Sequence, residues 1–250
     1  MMKKFIYHIL RFLNDCIDLF ILLVFILIFL IGIYGMADTI SIFSSAQDKG
    51  VLKYKPKANE VLTEDIKNNV AWISIEDSLI DYPVMQGLTN EEYLNKDPYG
   101  NYSLSGSIFL DYRNNSDFSD PYSLVYGHHM EQGLMFGSLD EWLDEKYFNS
   151  HLHGTLTTKT EIYDLTVYAI METKATVKEM FHPIDVPYQQ TFEYINTNYR
   201  YINKEVQQPE HLVALSTCKY PDSDERTILV CNLTESGNHV TTSKITAVKP

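Results

Sequence analysis

The chain has only three cysteines in 250 residues, Cys16, Cys218 and Cys231. That is too few for the disulfide framework of a small secreted domain. Positive charge is scarce as well: 20 Lys and Arg stand against 33 Asp and Glu, for a formal net charge of −13. Residues 1–36 carry +1, from Lys3, Lys4 and Arg11 against Asp15 and Asp18, so the remainder of the chain carries −14. An acidic body lacks the basic patches that nucleic-acid binding requires. It also argues against adhesion to an anionic lipid surface. Internal repeats and low-complexity tracts are absent, and so are long apolar runs, with one exception.

The exception is Cys16 to Met36, 21 residues whose single charge is Asp18. A helix of that length crosses a bilayer. Lys3, Lys4 and Arg11 precede it and few positive charges follow before Lys49. By the positive-inside rule the N-terminus stays in the cytoplasm and the body lies outside. A cleaved signal peptide is the competing reading, since Gly35-Met36-Ala37 is a small-x-small site. Its apolar core, Leu19 to Ile33, is long for a signal peptide, roughly 15 residues against a usual 7–15. The expected division is 1–36 for the cytoplasmic N-terminus and anchor, 37–69 for a stalk and a helix after Glu60, and 70–250 for one folded domain.

Apolar content of 45% with 18 tyrosines supplies a sizeable core. Ala71 to Ile75 and Leu79 to Met85 read as a hairpin around Glu76-Asp77-Ser78. Thr89 to Glu92 caps a short helix. Ser107 to Tyr112 and Tyr122 to Tyr126 read as further strands, and Leu134 to Phe148 has helical spacing. Gly154 to Thr160 and Ile162 to Glu172 form a long hairpin. Phe192, Ile195, Tyr199 and Ile202 define an amphipathic helix.

The informative stretch runs from His211 to Cys231. One apolar run ends at Cys218, a loop from Lys219 to Glu225 contains Pro221, and a second apolar run starts at Arg226. That is two antiparallel strands with Cys218 and Arg226 opposite each other at the mouth. Cys231 then lies five residues farther along, roughly 16 Å at about 3.3 Å per residue. A disulfide needs Cα atoms within about 7 Å, so Cys218 stays free and Cys231 is a buried strand residue. A cation beside a thiol favours the nucleophilic thiolate. A guanidinium is not a base but can hold a carbonyl or an oxyanion. Such a nucleophile also needs a histidine. His128-His129 suggests metal binding too, but no third ligand with suitable spacing lies nearby, so no metal is expected. The residues alone leave a buried strand cysteine beside a surface arginine as an equal reading.

Ala214-Leu215-Ser216-Thr217-Cys218 resembles the Thr-Leu-x-Thr-Cys signature of sortases, with Ala214 in place of the usual threonine. Arg226 stands where that family has its arginine, and Tyr126-Gly127-His128 resembles its histidine motif. Ile80 to Gln86, Gly106 to Arg113 and Met135 to Leu139 are similar to class B sortases. The resemblance covers roughly Ala71 to Leu233. It implies a mainly β fold with added helices: a closed barrel of about eight strands, N-terminal helices and one helix before the cysteine strand, all behind one transmembrane helix. It implies a cysteine transpeptidase with Cys218 as nucleophile, His128 as general acid/base and Arg226 as carbonyl or oxyanion ligand. Tyr126, Leu215, Ser216 and Thr217 would touch substrate, and no cofactor is needed. The implied partners are surface proteins or pilins with a C-terminal sorting signal, and a peptidoglycan cross-bridge or pilin lysine as amine acceptor. A catalytically silent surface binding module and a secreted cysteine protease are the alternatives from other classes.

Overall fold

The structure is a computed structural model that describes residues 2–46, 49–63, 66–218 and 223–237. The chain divides into two units, 1–44 and 45–250. An unbroken run of Leu, Ile and Phe without proline gives α1 (Met2–Ala46), in which Lys4–Ile40 is long and apolar enough, by length and composition, to cross a membrane. A two-turn 3-10 segment follows at Lys49–Tyr54.

Short runs rich in β-branched and aromatic residues supply the strands of the second unit. In chain order they are β1 (Asn69–Ile75), β2 (Asp81–Met85), β3 (Ile108–Leu110), β4 (Tyr122–Tyr126), β5 (His153–Thr158), β6 (Ile162–Lys174), β7 (Tyr201–Ile202), β8 (Leu212–Cys218) and β9 (Glu225–Glu235). The sheet order is β5-β1-β2-β3-β4-β8-β9-β6, and β5 also pairs with β6, which closes an eight-stranded barrel. Closure removes the unpaired edges that an open sheet would present. β2 with β3 and β4 with β8 are parallel pairs. β7 adds to β6 at Ala169 and Ile170. α2 (Glu145–Ser150), α3 (Lys178–Phe181) and α4 (Tyr188–Asn198) lie between strands. Ile195 of α4 and Met180 of α3 are buried against Leu124, Ala214, Ile228 and Val230.

Several expected helices are not formed, each for a local reason. Residues 61–63 are irregular, because the Leu62 N–H donates to Thr158 O at 2.8 Å. Leu62 and Ile66 still bury their side chains beside Trp72, Met85 and Phe109. The stretch from Thr89 forms turns with i to i+3 bonds, and the Glu92 carboxylate caps the Leu88 N–H at 3.0 Å. Leu134 to Phe148 splits into a 3-10 helix, Gly137–Leu143, and α2, because Asp144 caps the second by accepting from Lys146 N and Tyr147 N. The amphipathic helix ends at Asn198. Beyond it, the Arg200 N–H donates to Ile170 O and Ile202 pairs with Ala169, so β6 claims that backbone. The third strand stops at Leu110, since the Asp111 carboxylate turns back to accept from Arg113 N at 3.0 Å. Of the expected hairpin loop, residues 219–222 lie outside the described residues, as does the polar tail from residue 238.

Ile195 is fully buried between α4 and the sheet. We expect Ile195→Ala to lower unfolding stability by about 2–4 kcal/mol, from lost transfer energy and the residual cavity. Urea titration of the detergent-solubilised chain measures this. A cost under about 1 kcal/mol would show that α4 does not seal this face.

Candidate active site

β8 and β9 pair antiparallel from Leu212↔Asn232 to Cys218↔Arg226. The backbone of Cys218 therefore ends its strand directly opposite Arg226, the second residue of β9. The Cys218 side chain lies outside the described residues. β4 runs parallel to β8 with Tyr126↔Ser216, and the Gly127 N–H extends that pairing to Ser216 O at 3.1 Å. His128 follows at once, so three strand ends bring a cysteine backbone, an arginine and a histidine to one end of the barrel.

A cleft of about 440 Å³ opens there, lined by His128, Arg226, Tyr126, Ser216 and Thr217, with Asn90 and Leu94 on its loop side. Gly127 is required by packing. A Cβ at that position would stand 2.5 Å from Ile108 Cδ1 and 2.7 Å from Phe136 Cδ2. The chain can therefore enter the His128 position only without a side chain before it.

His128 Nε2 lies 2.8 Å from Leu94 O. A carbonyl only accepts, so Nε2 carries a proton and Nδ1 is the nitrogen left to exchange one. Gly106, at φ +60°, lets the chain pass within a Cβ's reach of Leu94 O and of the His128 ring, at 2.5 and 3.0 Å. Arg226 Nη1 donates to Ser223 O at 2.6 Å and to Glu225 O at 3.0 Å, which ties the guanidinium to the loop before β9.

His129 faces elsewhere. It bridges to Met135, and its Nε2 lies 2.8 Å from Asp140 Oδ2. It does not line the cleft. The hydrogen bond to Asp140 raises the His129 pKa, against burial, which lowers it. Leu215, expected as a substrate contact, is fully buried and is not among the cleft-lining residues. Ser216 and Thr217, which do line the cleft, are themselves almost fully buried. Cys231 is also fully buried, pairs with Val213, and has its thiol pushed up to about 12 by burial.

The cleft has an electrostatic base that motif reading missed. The Asp111 carboxylate is buried and accepts from Arg113 Nε at 2.9 Å, Arg113 Nη2 at 2.8 Å, Asn90 Nδ2 at 2.8 Å and the Tyr126 hydroxyl at 3.1 Å. Burial alone would raise its pKa, but the Arg113 and Asn90 donors outweigh it and hold the carboxyl below the usual range. Burial and the Asp111 charge push the Tyr126 phenol up. One carboxylate thus orients three side chains of the cleft wall. The signal was present as Asp111-Tyr-Arg113, an acid and a base two residues apart, which the turn after β3 brings together. Among the described residues no cluster of three or more His, Cys, Asp or Glu is placed to hold a metal.

A closed eight-stranded barrel with added helices is the architecture of solved class B sortases. The Sortase domain family model matches residues 73–234, well over half of the chain. The chain belongs to the sortase family. Sortase B of Listeria monocytogenes is 30% identical over 163 residues, covering 61% of this chain and 63% of that protein, so the match spans less than two thirds of that relative. A Streptococcus pyogenes class B sortase involved in pilus biogenesis is 33% identical, with a TM-score of 0.62 over 76% of this chain and 100% of that one. A Staphylococcus aureus sortase B in complex with substrate is 28% identical, with a TM-score of 0.63 over 69% of this chain and 82% of that one.

Two outcomes follow from these environments. Cys231, with its thiol near 12, should resist alkylation in the folded protein and react only after denaturation. Peptide mass mapping after iodoacetamide treatment reads this, and modification of Cys231 under native conditions would contradict its burial. The raised pKa of His129 means that its pairing with Asp140 contributes stability fully below about pH 6.5 and loses it as pH rises through the folded value. The melting-temperature gap between wild type and His129→Gln should therefore shrink from about pH 5 to about pH 9. A constant gap would show that the pair is not charged.

Proposed function

We propose that the protein is a cysteine transpeptidase that joins surface proteins bearing a C-terminal sorting signal to an amine acceptor. The observation that carries this is the backbone register Cys218↔Arg226 beside a cleft lined by His128, in a chain of the sortase family. The Cys218 thiolate attacks the carbonyl carbon of the sorting-signal threonine. The tetrahedral oxyanion collapses, the C–N bond breaks, and a thioester remains on Cys218. His128 gives its proton to the departing amine. While Nε2 donates to Leu94 O, that proton leaves from Nδ1. An incoming amine attacks the thioester, His128 takes the amine proton, and Cys218 departs as the thiolate. Arg226 orients the substrate carbonyl and stabilises the oxyanion as charge develops. Ser216, Thr217 and Tyr126 contact the peptide.

The favoured acceptor is the peptidoglycan cross-bridge. A pilin lysine is the second reading, supported by the similarity to the pilus-biogenesis sortase. Peptide products formed with each candidate amine and identified by mass spectrometry distinguish them. The apolar helix is proposed to anchor the chain with its N-terminus cytoplasmic and residues 70–250 outside. Confining enzyme and substrate to one surface raises their effective concentration.

Cys218→Ala should form no thioester. His128→Ala should lose roughly 10²-fold or more in turnover, the scale of a lost general acid/base, while His129→Ala loses far less. Arg226→Lys should lose on the order of 10²-fold, because lysine keeps the charge but not the planar fork of donors. Turnover of a fluorescent sorting-signal peptide and the mass of the trapped intermediate measure all four. A thioester on Cys231, a larger loss at His129 than at His128, or near-normal Arg226→Lys turnover would each reverse the corresponding assignment.

A further inference from the structure

The candidate histidine and arginine stand on backbone segments that are not neighbours. β8 separates β4 from β9, and the chain leaves the sheet pairing after Gly127. From there His128 O accepts from Phe136 N at 3.0 Å and His129 bridges to Met135, so the histidine segment rests on the stretch that leads into the 3-10 helix Gly137–Leu143. That helix is a firm base: Ser138, Leu139 and Trp142 are fully buried, and Trp142 Nε1 donates to His151 O at 3.1 Å. Asp140 projects from it and uses both oxygens. Oδ2 lies 2.8 Å from His129 Nε2, next to His128. Oδ1 accepts from Thr227 Oγ1 at 3.0 Å, next to Arg226. Thr227 is fully buried and pairs across the ladder with Thr217, the residue before Cys218.

We propose that Asp140 is a positioning residue that ties the His128 segment to the start of β9 and so sets the spacing of His128 and Arg226 on either side of Cys218. The proposal rests on the transpeptidase reading for its effect on turnover. A single carboxylate does this where no backbone ladder can, because β8 fills the space between the two segments. Each link has its own fixed anchor, a buried strand residue on one side and a bridged residue on the other. Losing either link frees the histidine segment to shift relative to β9. A misplacement of about 1 Å costs on the order of 10²-fold in a positioned reaction, so a partial release should cost roughly tenfold.

The test compares Asp140→Ala, Asp140→Asn and Thr227→Val in the full-length chain. Asp140→Ala should lower kcat roughly tenfold with KM within about twofold, since substrate contacts are untouched. Asp140→Asn keeps an oxygen for the Thr227 hydroxyl and should recover most of the loss. Thr227→Val cuts only the β9 link at nearly constant volume, and adding it to Asp140→Ala should cost little more, because both act through one tie. Unchanged kcat in Asp140→Ala, equal losses in the Ala and Asn variants that track melting temperature, or additive losses in the double variant would overturn the proposal. Histidine ring NMR tests the tie apart from activity. Removing the Thr227 hydroxyl should move the His128 and His129 ring signals, and unmoved signals would overturn the tie even in an active enzyme. A wild-type chain that turns over no sorting-signal peptide would instead overturn the transpeptidase reading, leaving the ring signals to decide the tie.

Discussion

Everything at the candidate site depends on the antiparallel pairing of β8 with β9. Its register sets Cys218 against Arg226, and a slip of one residue would turn every side chain of the strand to the other face. Burial enforces the register on both sides. Leu212, Ala214, Ile228 and Val230 pack under α3 and α4, while Val213, Leu215, Leu229 and Cys231 are fully buried on the alternate positions. A strand buried on both faces cannot shift without exposing apolar surface. The same burial locks Cys231 within the paired region, while the backbone of Cys218 ends the strand.

A second constraint is charge. The protein is acidic overall, yet the cleft gathers Arg113, Arg226, His128 and His182. Asp111 makes that tolerable by neutralising Arg113 at a buried position, with Asn90 and Tyr126 satisfying the remaining oxygen sites. Removing one partner from such a pair strands the other charge, which is why buried pairs tolerate single substitutions poorly. Asp140 plays a parallel part outside the cleft. Two carboxylates thus hold side chains next to His128 and Arg226: Asp111 binds Tyr126, and Asp140 binds His129 and Thr227.

Much of this was legible in the chain itself. The strand pair 212–235, the hairpin 153–174 and the apolar N-terminal helix follow from local alternation and length, which depend only on nearest neighbours. The Cys218 and Arg226 pairing follows because a hairpin loop fixes register locally. The histidine assignment required the motif around Gly127, and the glycine proved to be dictated by Ile108 and Phe136, residues distant in sequence from each other. Two of the expected helical stretches failed for one cause. Residues after Glu60 and after Asn198 had apolar spacing compatible with a helix, but their backbone groups were taken by β5 and β6.

The sequence by itself determined the element types with strong periodicity and the family to which the chain belongs, because those signals are carried by residues close together. Only the tertiary structure decided that β5 closes on β6, that Asp111 gathers Asn90 and Tyr126, and that Asp140 reaches both His129 and Thr227. Thr227 is 87 residues from Asp140. Contacts at such separations are set by how the barrel closes, and no local pattern records them, since the free energy that selects them belongs to the packed core as a whole.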